Sequence, residues 1–166
     1  MYKEIIDKIR PEMDKVVALN AQSVLEFGTR EGYSTRIFAQ ILKPRNGRIV
    51  TVDMNLPKES FSEDNILVIT SKIEDYPGFP CDILYIDDWH NKWHLYYELN
   101  RFARMAKVVL IHDICLGELL EAVSAWCLDN MMIYTVYPMN GCGLAVIEVE
   151  KSGLFYTRKD KSTGEK

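Results

Sequence analysis

VLEFGTREGYST, residues 24–35, runs from an apolar strand-like stretch through the acid Glu26 into a turn marked by Gly28 and Gly32. It then reaches Ser34 and Thr35, residue types that begin helices. A strand that turns this tightly into a helix is the opening unit of an open parallel sheet. Ligands of such sheets sit beyond the carboxyl ends of the strands, at the crevice where strand order reverses, and the first strand-to-helix turn lies there. Gly28 and Gly32 let the backbone pass close to a ligand with no Cβ in the way, and a helix starting near Ser34 aims free N–H groups at it.

The same alternation continues outward from this turn. Residues 23–27 read as a short buried strand and residues 34–42 as a helix with Ile37, Phe38, Ile41 and Leu42 on its apolar side, ended by Lys43 and Pro44. RIVTVD (48–53), ILVIT (66–70), DILYID (82–87) and KVVLIHD (107–113) supply four more strands. A helix carrying Trp93, Tyr96, Tyr97, Leu99 and Phe102 separates the last two, and a helical stretch from 116 to 128 follows the fifth strand. MIYTVYP (132–138) and GLAVIEVE (143–150) are joined by only Met139 to Cys142, too short for a parallel crossover, so they predict an antiparallel hairpin. Before the first strand, Ile5, Ile6, Ile9, Met13, Val16 and Val17 recur at helical spacing, with Pro11 predicting a kink or a break into two short helices. The expected fold is therefore α/β: a Rossmann-like, doubly wound sheet of about seven strands, mostly parallel with a C-terminal antiparallel hairpin. Residues 1–157 read as one domain, and the polar segment 158–166 as a disordered tail.

Composition narrows the function classes. A chain of 166 residues with 48% apolar content builds a sizeable core without a membrane span. A net charge of −4 with acids and bases interspersed argues against a general nucleic-acid or membrane surface. No apolar run suits a transmembrane helix and the opening residues are charged throughout, so the expected compartment is the cytoplasm. Cys81, Cys115, Cys127 and Cys142 are far apart with no C-x-x-C, which predicts reduced packing residues rather than disulfides or a zinc site. Asp53, ending the second strand 25 residues after Gly28, is placed to accept two hydrogen bonds from a ribose diol.

The run E-F-G-T-R-E-G-Y-S, Asp53, the strand end Y-I-D-D-W-H and the hairpin finish together resemble a class I S-adenosylmethionine-dependent methyltransferase over about residues 20–150. The family's acid-x-Gly-x-x-x-Gly pattern fits Glu26, Gly28 and Gly32, whereas Arg30 spoils the G-x-G-x-x-G of dinucleotide enzymes. The resemblance implies that Glu26, Gly28 and Thr29 line the amino-acid end of the cofactor, that Gly32 and Ser34 also belong to the cofactor site, and that Asp53 holds its ribose. It implies too that Met54, Ser71, Lys72 and Ile73 meet the adenine. DILYIDDWH followed by VLIHD is similar to the catechol and macrocin-type O-methyltransferases, in which acids ending the fourth and fifth strands share a divalent metal. Asp87 and Asp113 match those acids. Mg²⁺ in such chemistry binds the acceptor oxygen and lowers its pKa. Where relatives often carry Asn or Asp after the second acid this chain has Ile114, so His112, His90, Asp88 or water completes the ligand set, or no metal binds.

Three histidines are present. His90, three residues past Asp87, is placed as a general base on an acceptor hydroxyl, so Asp87, His90 and Asp113 form the expected reactive group. His94 reads as surface helix, and His112 equally as a cleft residue or a hydrogen-bonded structural one. The expected activity is S-adenosylmethionine-dependent O-methylation of a small molecule. Competing readings are a cofactor-binding subunit without catalysis, which the short chain favours, and an NAD-dependent dehydrogenase, which the glycine spacing disfavours. A homo-oligomer is compatible with the sequence, and neither nucleic acid nor membrane is an expected partner.

Overall fold

The computed structural model describes residues 9–58, 60–138 and 143–149. Helices are labelled α1 (Arg10–Ala18), α2 (Tyr33–Leu42), α3 (Lys92–Phe102) and α4 (Leu119–Asn130). Strands are β1 (Ser23–Phe27), β2 (Arg48–Asp53), β3 (Ile66–Thr70), β4 (Cys81–Ile86), β5 (Ala106–His112), β6 (Tyr134–Tyr137) and β7 (Leu144–Glu148). All seven strands form one sheet in the order β3-β2-β1-β4-β5-β7-β6. The first five are parallel, and β7 runs antiparallel to both β5 and β6. The doubly wound α/β fold with its C-terminal antiparallel pair is thus the one predicted. Strand order reverses between β1 and β4, which places the ligand crevice above those two strands.

Period-two alternation along the strands divides the core into two layers. Leu25, Phe27, Val50, Leu84, Ile86, Val109 and Ile111 face α3 and α4, where Phe102 meets Phe27 edge-on with ring centroids 4.9 Å apart. Val24, Ile49, Ile83, Tyr85, Val108 and Leu110 face the other way, toward Phe38, Ala39 and Leu42 of α2 and Val16 of α1. This alternation also decides where the polar residues go: Glu26, between Leu25 and Phe27, must point into the α1/α2 layer.

One detail departs from the sequence reading. Pro11 lies in the first turn of α1, where its missing N–H costs nothing, so it starts this helix; Ile5 and Ile6 lie outside the described residues. Among the described residues no α-helix links β2 to β3 or β3 to β4, only a 3₁₀ turn at Ile73–Asp75 in the second link. Edge strand β3 is accordingly only half-covered, with Leu67 56% exposed. The β6–β7 connection and the segment 158–166 lie outside the described residues. Cys81 and Cys127 are free and buried, as packing residues, whereas Cys115 is free but exposed on the turn after β5 and so is not one; Cys142 lies outside the described residues. Among the described residues no helix is long and apolar enough to cross a membrane.

Candidate active site

The β1–α2 turn is built by contacts within the protein. Gly28 has φ +93°, and a Cβ there would come 2.3 Å from the Asp87 carbonyl oxygen, because the ends of β1 and β4 touch at this point. Gly32 has φ +72° and its missing side chain is replaced by the Phe61 ring, which a Cβ would meet at 2.4 Å. Asp53 fastens the turn from β2: its Oδ2 accepts from the backbone N–H groups of Thr29 at 2.9 Å and Arg30 at 3.2 Å, while Oδ1 accepts from Asn55 N–H at 2.9 Å. Glu26 is fully buried and accepts from the hydroxyls of Ser34 and Thr35, pinning the start of α2 to β1. Burial pushes the Glu26 carboxyl up to about 7, against the opposing pull of those two hydroxyls.

A cavity of about 630 Å³ opens beside this turn, a size that suits a cofactor. Gly28, Asp53, Met54, Ser71, Lys72 and Ile73 line it, together with Arg30, Asn55, Asp88, Trp89 and His94. Glu26, Thr29, Gly32 and Ser34 are outside the lining: Glu26 is turned away by strand alternation, and Thr29 directs its hydroxyl to Thr51 at 2.6 Å. Trp89, 69% exposed, stands over the cavity, whereas Trp93 points to solvent.

Beyond the ends of β4 and β5 lies the second part of the site. His90 Nε2 is 3.1 Å from Asp113 Oδ2, and potential ligand atoms of Asp87, His90 and Asp113 all fall within 4.8 Å of one another. The three predicted reactive residues are therefore neighbours in space. Asp113 holds φ +54°, a left-handed conformation uncommon outside glycine. His112 is nearly buried among carboxylates, with Nδ1 3.4 Å from Asp87 and 3.3 Å from Asp113, and Nε2 3.7 Å from Glu12. Burial works to lower its pKa, but Asp87, Asp113 and Glu12 outweigh that and raise it. Glu12 reaches this group from α1, and burial lifts its carboxyl to about 7. Sequence reasoning passed over Glu12; the available signal was a lone acid inside the Ile9, Met13, Val16 stripe.

His94 does not sit on a solvated face. Its side chain is 12% exposed, with Nε2 3.0 Å from Asp88 Oδ2 and 3.5 Å from Glu98 Oε1, and Nδ1 3.8 Å from Glu74. Asp88 first and Glu98 second raise its pKa, while burial raises that of Glu98.

With this geometry in view, comparison with known proteins is decisive for the family: a family model described as a methyltransferase domain matches residues 25–114. The chain belongs to that methyltransferase family. Among solved structures it is similar to the O-methyltransferase from Bacillus cereus in complex with SAH, at 17% identity over 82% of this chain and 78% of that one, with a TM-score of 0.60. Cofactor-bound Rv0187 from MTB matches at 23% identity over 82% and 77% of the two chains, TM-score 0.60. A Staphylococcus aureus protein described as a caffeoyl-CoA O-methyltransferase matches at 16% identity over 84% and 82%, TM-score 0.65. These likenesses show a shared fold. No curated protein matches the chain in sequence.

Proposed function

We propose that this methyltransferase moves the methyl group of S-adenosylmethionine to an oxygen of a small-molecule acceptor in the cytoplasm, with Asp87, His90 and Asp113 at the reactive end. One observation carries the reading: the 630 Å³ cavity starts at Asp53 on β2, passes Trp89 and reaches Asp88, next to the Asp87, His90, Asp113 group. The cofactor and the reacting residues thereby share the carboxyl edge of the sheet. SAH in the Bacillus cereus structure of the same fold supports the cofactor class.

Asp53 offers its free lone pair at Oδ1 to a ribose hydroxyl, while Trp89 and Met54 give apolar faces for the adenine. S-adenosylmethionine supplies a sulfonium methyl that an oxygen nucleophile displaces directly. His90 takes the acceptor's hydroxyl proton at Nδ1, the ring nitrogen turned from Asp113, as the oxygen–carbon bond forms, while Nε2, 3.1 Å from Asp113 Oδ2, lets that carboxylate steady the imidazolium so produced. Asp87 and Asp113 also fit a divalent ion: Asp113 Oδ1 is buried without a hydrogen-bond partner, and the carboxylates are those that hard cations choose. Such an ion would lower the pKa of the acceptor hydroxyl. Glu26, Thr29, Gly32 and Ser34 shape the cofactor site from behind, holding the β1–α2 turn in place.

Turnover is the test. Purified protein incubated with S-adenosylmethionine, a panel of phenolic and sugar hydroxyl acceptors, and Mg²⁺ or a chelator should release S-adenosylhomocysteine, and Asp113→Asn should not. Tight S-adenosylhomocysteine binding with no turnover on any acceptor would leave a cofactor-binding subunit instead.

A further inference from the structure

We infer that Asp88, His94 and Glu98 form a site for a divalent transition-metal ion, zinc foremost, in the wall of the cofactor cavity and separate from the Asp87, His90, Asp113 group. Potential ligand atoms of these three residues all lie within 4.8 Å of one another. His94 and Glu98 are one helical turn apart on α3 and face the same way, while Asp88 approaches from the loop after β4. Metal bonds of about 2.0–2.1 Å at tetrahedral angles put neighbouring ligand atoms about 3.4 Å apart. The observed separations from His94 Nε2, 3.0 Å to Asp88 Oδ2 and 3.5 Å to Glu98 Oε1, straddle that value.

Glu98 is what points to a ligand. Its side chain is fully buried, neither oxygen meets a donor in hydrogen-bond geometry, and Oε1 is aimed at His94 Nε2, which is already engaged with Asp88. A buried carboxylate left this way is strongly disfavoured, and a dication between two carboxylates and a neutral imidazole balances the charge. Glu74 lies on the far side of the ring, 3.8 Å from Nδ1: beyond hydrogen-bond distance, but on the side from which an outer carboxylate orients a ligating histidine. One imidazole with two carboxylates suits zinc, iron or manganese better than Mg²⁺, which prefers an all-oxygen octahedron. Asp88 and His94 also line the cavity, so the fourth position opens onto it. An ion there ties the loop carrying Trp89 to α3 and so fixes the cavity wall.

Zinc uptake at these residues needs neither cofactor nor acceptor, so it is measured independently of methyl transfer. Calorimetric titration of the full chain with Zn²⁺, backed by the visible spectrum of bound Co²⁺, should be run on wild type, Glu98→Gln, Asp88→Asn and Asp113→Asn, with circular dichroism confirming each fold. Asp88→Asn covers the case in which Glu98→Gln fails to fold. Expected is the loss of one bound ion in Glu98→Gln and Asp88→Asn, with that ion retained in Asp113→Asn. No zinc uptake by wild type, or the same stoichiometry in wild type and Asp88→Asn, overturns the inference and leaves a protonated His94 in the place among the carboxylates.

Discussion

The proposed cofactor role gives Asp53 work on two sides at once. A carboxylate has about four lone-pair positions, and three here serve the N–H groups of Thr29, Arg30 and Asn55, leaving one for a ligand hydroxyl. Asp53→Ala should weaken S-adenosylhomocysteine binding at least about tenfold, since a hydrogen bond to a charged group is worth about 1.5–3 kcal/mol. It should also loosen the turn. An unchanged dissociation constant in a folded variant removes Asp53 from the site. The proposed role of His90 is in the chemistry alone: His90→Ala should cut kcat by about 10²–10⁴-fold, the range for a lost general base, with KM for S-adenosylmethionine little changed. Full activity in that variant would pass the proton to another group. Asp87, His90 and Asp113 were legible as single residues because each follows a recognisable strand end. Glu12 and Glu98 were not, because an acid within a helical apolar stripe looks like a boundary of the stripe until the partners on other elements are seen.

The β1–α2 unit shows how the elements share their glycines. Gly28 serves the close approach of β1 to β4 as well as the cavity it lines, and both its positive φ and the 2.3 Å approach to the Asp87 carbonyl exclude a side chain. Gly28→Ala should cost about 3 kcal/mol or more, read from the urea unfolding midpoint, because backbone cannot yield as a flexible side chain does. A loss below about 0.5 kcal/mol would mean the two strand ends separate easily. Strand positions were largely legible: 23–27, 48–53 and 66–70 coincide with β1, β2 and β3, since parallel strands, buried as in β1 and β2 or half-covered as in β3, are short apolar runs bounded by polar residues. The helix after β5 was less so, starting at Leu119 rather than 116, because residues 113–118 form turns that no local periodicity marks. His94 was misread for a related reason. Its neighbours Trp93 and Tyr97 are exposed, and only the fold brings Asp88 and Glu74 to its ring.

At the scale of the whole molecule, the layer beneath α1 and α2 stores buried acids whose titration couples to folding. Glu26 is raised from 4.5 to about 7, so between those pH values the folded state holds a proton that the unfolded state has released. Stability from this group is therefore full below about pH 4.5 and is lost as pH rises toward 7, by on the order of 3 kcal/mol. Urea unfolding at pH 5 and pH 8 should show that decline, and Glu26→Gln should flatten it; an unaltered pH slope in the variant would contradict the assignment. The same architecture sets the central claim, that the crevice where strand order reverses is an S-adenosylmethionine site rather than a dinucleotide site. Isothermal titration of the purified chain with S-adenosylhomocysteine and, separately, with NAD tests it most directly. S-adenosylhomocysteine should bind with a measurable dissociation constant and NAD far more weakly; NAD binding tightly while S-adenosylhomocysteine does not would contradict the account.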